Sequence, residues 1–104
     1  MTTPREVIEK ISLKLQADPA KASSLDSSFK FIVQGPEGGT WLVRCKEPVG
    51  VTEGDSPSDC TLTVASNDFV AIAEGKLNPQ VAFMKGALKV SGDISRALKL
   101  SSIF

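Results

Sequence analysis

Histidine is absent from the 104 residues. That removes the commonest general base at neutral pH and the commonest neutral metal ligand. The expectation is a chain that is not an enzyme and that holds no metal and no cofactor. Cysteine is scarce: Cys45 and Cys60 lie far apart, each in apolar, strand-like surroundings. A thiol buried there is held in its neutral, unreactive form, with no imidazole to activate it. So low a cysteine content also fits a reducing compartment. No charge of one sign is in excess. Lys plus Arg is 12 and Asp plus Glu is 12, so the formal net charge is zero. Nucleic-acid binders carry a basic excess on one face, and nucleic acid is therefore excluded as a partner. No apolar run approaches the roughly 18 residues of a membrane span, and the N-terminus lacks the apolar core of a signal peptide. A soluble cytoplasmic protein is expected.

What is present is enough for one domain over 1–104 and too little for two. Residues 4–17 predict a helix. Thr3 suits its N-cap, Pro4 its first position and Glu6 the third residue of a capping box. Val7, Ile8, Ile11 and Leu15 recur at helical spacing on one face. Residues 20–28 read as a loop or a frayed short helix. The period then changes to two. Phe29, Phe31 and Val33 alternate with Lys30, Ile32 and Gln34; after the turn "GPEGG", Trp41, Val43 and Cys45 alternate with Leu42, Arg44 and Lys46. That is an antiparallel hairpin. A short edge strand is expected near 49–53, beside Pro48 and Pro57. "CTLTVA" is a strand with Cys60, Leu62 and Val64 on one face.

The remainder alternates helix and strand. Ser66 is expected to cap a helix over 67–74 that Gly75 stops. Asn78-Pro79 starts a short helix ending at Gly86. Residues 87–91 form a strand with Leu88 and Val90 inward. Asp93 is expected to cap a last helix over 94–103. Gly75, Gly86 and Gly92 bound elements and are not spaced as a phosphate loop. Asp68, Glu74 and Asp93 read as caps and solvated charges, not as a catalytic carboxylate pair. The pattern is α+β, with helices on one face of a single sheet.

The segment "DCTLTVASNDFVAIAEGKLNPQVAFMKGALKVSGDISRALKL", Asp59 to Leu100, resembles the sterol carrier protein type 2 domain family. The framework "GKLNPQ.AFM.G.LK..GD...A.KL" from Gly75 to Leu100 is its most specific part. The likeness extends less sharply over roughly residues 5–104. It implies a mixed five-stranded sheet in the order 3-2-1-4-5, with helices on one face around an apolar lipid tunnel. It implies a non-catalytic lipid-binding and transfer function, with fatty acid, fatty acyl-CoA, sterol or phospholipid as ligand. The alternative is an accessory or substrate-presenting module for a lipid-metabolising enzyme, since such domains are often fused to them. A monomer with transient membrane contact is expected. By the implied order, Cys45 and Cys60 lie on strands with a third between them, too far apart for a disulfide.

Two positions depart from the family pattern. Arg44 stands where an Asp is frequent, so no role of that acid carries over. The sequence closes on Ser102-Ile103-Phe104, whereas many eukaryotic members continue to a peroxisomal tripeptide. A peroxisomal location follows only if such a signal was trimmed.

The expected lipid-binding residues are Ile11 and Leu15 of the first helix, Phe31, Val43 and Val64 of the sheet, and Phe83 and Met84 of the short helix. Leu98, Leu100, Ile103 and Phe104 complete them as an apolar C-terminal lid. Methionine suits an adaptable wall, being flexible and polarizable.

Overall fold

The structure is a computed structural model and describes residues 3–24, 26–46, 49–92 and 94–95. Helix α1 spans Pro4–Ala17, with Thr3 as N-cap accepting from the Glu6 N–H at 3.3 Å. Val7, Ile8, Ile11 and Leu15 form its buried stripe. Asp18 closes it, and Pro19–Ser23 make a short helix, α2, where the sequence left loop and helix open.

The strands are β1 (Ser27–Gln34), β2 (Gly39–Cys45), β3 (Gly50–Glu53), β4 (Cys60–Ala65) and β5 (Leu88–Gly92). They form one sheet in the order β3-β2-β1-β4-β5, the order implied by the family resemblance. β1 pairs antiparallel with β2 and parallel with β4; the remaining pairs are antiparallel. The turn between β1 and β2 is tight. Glu37 sits at φ +58, and a Cβ on Gly38 would overlap the carbonyl oxygen of Val33.

Period-two alternation places one side chain of each pair on a common inner face. Phe29 lies between Val43 and Cys60, Phe31 between Trp41 and Leu62, and Val33 beside Val64. All are buried. The other face carries Lys30, Ile32, Leu42, Arg44, Thr61 and Thr63, each half-buried.

α3 (Ser66–Ala73) follows β4 without a loop, and α4 (Pro79–Met84) precedes β5. Asn78 caps α4, its Oδ1 accepting from the Gln80 N–H at 2.8 Å, as expected. The cap expected of Ser66 is not formed. Ala65, in extended backbone at the end of β4, takes the N-cap position, and Ser66 is already helical and buried. The direct strand-to-helix passage moves the helix start back by one residue. α1 packs on α3, β2 and β3, α3 on β1 and β4, and α4 on β5. The helices thus cover the inner face. Of the last helix expected over 94–103, only residues 94–95 are described.

Candidate lipid-binding interior

Between helices and sheet lies a layer built from alternate strand residues and one helix stripe. Phe31 meets Phe69 of α3 with ring centroids 5.4 Å apart and planes tilted by 49°. Ile11 and Leu15 approach from α1, Ile72 from α3 and Ala82 from α4, all within one buried cluster. Among the described residues the buried polar side chains are Ser27, Ser28 and Ser66, and none that is buried carries a charge. Such a layer offers apolar contact and no fixed ion pair to orient a ligand.

Ile11, Leu15, Phe31, Val43 and Val64 are buried together in this layer, and Phe83 packs against it half-buried. Met84 is not part of it. Its side chain is 84% exposed, on the outer side of α4. Met84 lies two residues, about 200° round the helix, from the buried Ala82, which turns it outward. The inward position belongs to Ala82, a fully buried residue that its small size concealed in the sequence. Leu98, Leu100, Ile103 and Phe104, and the lid expected of them, lie outside the described residues.

Cys45 and Cys60 face the same layer, both buried and neither in a disulfide. Cys45 pairs with Ser27 and Cys60 with Phe29, on opposite sides of β1. Two strand steps separate them, about 9–10 Å before the register offset is added. Burial pushes the Cys45 thiol up to about 11. Maleimide labelling should therefore be slow in the native protein and should reach both thiols after unfolding without reductant. A native intramolecular bridge would contradict this strand order.

The sheet is clamped at the edge of this layer. Asp59 Oδ2 accepts from the Ser28 N–H at 2.9 Å and from Lys46 Nζ at 2.9 Å, while the Asp59 N–H donates to Ser28 Oγ at 3.0 Å. The Lys46 ammonium and the Ser28 amide hold the Asp59 carboxyl below its ordinary value of 3.8. This clamp has no signature in the sequence, because its members meet only through the β1–β4 and β1–β2 pairings. A carboxyl depressed on folding stabilises above its unfolded value, and the contribution fades as pH falls through the folded value. Asp59→Asn should lower stability near neutral pH, and the gap to the parent should close only under acid conditions, below about pH 4. Urea denaturation across pH measures it. Solvent screening keeps the effect within about 1 kcal/mol.

A separate open cleft of about 730 Å³ lies where α1 and α3 begin beside the β1–β2 turn. Pro4, Pro36, Ser66, Asn67, Val70, Glu37, Glu74 and Lys76 line it. None of the expected lipid-binding residues contributes to it. Its carboxylates and ammonium make it a poor receptacle for an acyl chain.

The sequence profile of the SCP-2 sterol transfer family matches residues 8–104. The chain belongs to that family. Among its relatives, Non-specific lipid-transfer protein-like 1 of Caenorhabditis elegans is 32% identical over 101 residues, covering 93% of this chain and 86% of the relative. Sterol carrier protein 2 of Gallus gallus is 36% identical over 103 residues. Those residues are 93% of this chain but only 19% of that relative, so the chain spans about a fifth of its length. The apo structure of Sterol Carrier Protein 2 from Yarrowia lipolytica superposes with a TM-score of 0.83 at 26% identity, covering 94% of this chain and 86% of that one. The solution structure of palmitated SCP2L2 from Aedes aegypti does so with 0.66 at 25% identity, covering 92% of each chain. The SCP-2 family is thus shown by sequence and by fold together. Among the described residues, no helix is long and apolar enough to cross a membrane.

Proposed function

We propose that this chain is a non-catalytic carrier that takes a long-chain fatty acid, fatty acyl-CoA or sterol into the layer between its helices and sheet. The observation that carries this is the family match over residues 8–104; the uncharged inner face supports it. Ile11, Leu15, Phe31, Val43, Val64 and Phe83 are the proposed lining.

The energetics suffice. Each methylene withdrawn from water contributes about 0.8 kcal/mol. A long acyl chain thus gains on the order of 10 kcal/mol gross, against several kcal/mol of association entropy. Submicromolar to micromolar affinity is expected. The apolar lining recognises area more than shape, which fits broad selectivity. Catalysis has little support: Cys45 is held in its neutral form by burial, and the chain has no histidine.

Native mass spectrometry of freshly purified protein should show a retained lipid, and titration with a fluorescent fatty acid should saturate at one site. Binding no better than to an unrelated polar protein would overturn the proposal. A second reading rests on the chain spanning about a fifth of the Gallus gallus relative. There the domain presents lipid to an enzyme. Copurification with a lipid-metabolising enzyme, with the domain itself empty, would favour it.

A further inference from the structure

The open cleft beside the β1–β2 turn shares no lining residue with the proposed lipid site. Ser66, Val70 and Glu74 line it from α3 at steps of four residues, with Asn67 three before Val70. That spacing is one stripe of the helix, so the cleft follows α3 over most of its length. Pro4 at the start of α1 and Pro36 and Glu37 of the turn bound it at the head of α3. At the tail, Lys76 Nζ stands 3.8 Å from Glu74 Oε1.

The head of α3 has hydrogen-bonding capacity that the fold does not use. Ala65 holds the N-cap position and forms no side-chain cap. The first N–H groups of the eight-residue helix therefore keep their donors and the positive end of the helix dipole. Ser66 is only 8% exposed, yet its hydroxyl has no hydrogen-bond partner among the described residues. Side chains buried so deeply are ordinarily hydrogen-bonded. Ser66 Oγ sits against the turn, where a Cβ on Gly35 would stand 3.2 Å from it, and it faces the cleft. Nearby, Glu37 is an exposed carboxylate with no ion-pair partner among the described residues. The two unanswered features differ in sign. A lone anion on α3 would be repelled by Glu37, and a lone cation on Glu37 would meet the positive end of the helix.

We propose that this cleft binds an aminoalkyl phosphate, a small zwitterion that answers both. Its phosphate accepts from the first N–H groups of α3 and from the Ser66 hydroxyl, as anions do at helix starts. Its ammonium donates to Glu37, and its carbon body lies over Val70, Pro4 and Pro36. The ammonium is a primary one: a carboxylate takes N–H donors, and no aromatic ring lines the cleft to receive a quaternary one. Such a group exists free in water and as the head of an ethanolamine lipid. At about 730 Å³ the cleft has room for either. The site is separate from the inner layer and does not depend on the carrier function.

Amide chemical-shift titration of the full chain tests it, with phosphoethanolamine, lysophosphatidylethanolamine below its micelle concentration, ethanolamine and inorganic phosphate as probes. Phosphoethanolamine should move the Ser66, Asn67 and Asp68 amides saturably, and each half alone should bind about ten-fold more weakly or worse. Ser66→Ala and Glu37→Gln should each weaken phosphoethanolamine about ten-fold, the scale of one charge-assisted hydrogen bond. Glu37→Gln should leave inorganic phosphate binding equal or tighter, because it removes a repelling charge and no donor. Glu9→Gln, at an exposed acid of α1 outside the cleft, should change nothing. All three variants should melt with the parent, since none of these side chains bonds within the fold. Saturation by phosphoethanolamine assigns a free ligand; saturation by lysophosphatidylethanolamine alone, moving the same amides, assigns a lipid head. The inference is overturned if neither moves the α3 amides, if the halves bind as tightly as the whole, or if Glu37→Gln binds phosphoethanolamine like the parent.

Discussion

Gly92→Ala should lower stability by about 3 kcal/mol or more. Gly92 sits at φ +99, where a side chain is strained. A Cβ there would also overlap the carbonyl oxygen of Asp59 and come within 3.2 Å of the Cys60 Cα. Neither neighbour can retreat. Cys60 is paired on both sides, to Phe29 of β1 and to Gly92 itself in β5, and Asp59 is held by Ser28 and Lys46. The strain and the overlap therefore add, in a domain whose whole stability is roughly 5–15 kcal/mol. The melting temperature should fall by about 10 °C or more. Gly50→Ala is the control. Nothing lies within 4 Å of a Cβ there, so its change should stay within about 0.5 kcal/mol. A scan of both variants by circular dichroism decides it; equal shifts would show that the β4–β5 end is free to adjust.

Phe31→Ala should cost about 3–5 kcal/mol in the ligand-free protein. Phe31 is central in every direction. It is flanked by Trp41 and Leu62 in the sheet and meets Phe69 of α3 from above. Truncation removes the apolar burial, the aromatic pair and the filling of the layer together. The binding proposal adds a second expectation. If the layer accepts an acyl chain, the emptied volume borders the ligand, and fatty acid should raise the melting temperature of Phe31→Ala more than that of the parent. Ligand that binds only the folded state stabilises it by RT ln(1 + L/Kd), with L the free ligand concentration, so tighter binding at a given concentration gives a larger shift. An equal shift in both proteins would place the acyl chain away from Phe31.

Much of the architecture was legible because the period-two runs were clean. The strand cores, their inward faces and the Thr3 and Asn78 caps follow from local rules that the structure obeys. The order of the strands came from the family resemblance. Periodicity says which face a residue takes and nothing about which strand lies beside it. The misplacements are local too. Ser66 looks like a cap, but with no loop after β4 the chain turns into helix at Ala65. Met84 looks like lining when read as a neighbour of Phe83, whereas the helical angle turns it to solvent and leaves Ala82 inside. The Ser28–Asp59–Lys46 clamp joins residues up to 31 positions apart, and no spacing rule could have revealed it.

The parallel pairing of β1 with β4 bears on how the chain is made. Synthesis delivers β1, β2 and β3, an antiparallel meander, well before residue 60 leaves the ribosome. Until then the β1 side later taken by β4 is a bare edge, and Phe29, Phe31 and Val33 line a face without α3 to cover it. Such an edge is a template for pairing with other nascent chains. Closing the sheet requires the distant Cys60–Ala65 strand to arrive between β1 and β5, a non-local step of the kind that slows folding. Any delay in translation between residues 46 and 60 prolongs that exposure. The yield of this protein in a cell should thus depend on chaperone capacity and elongation rate more steeply than its final stability would suggest.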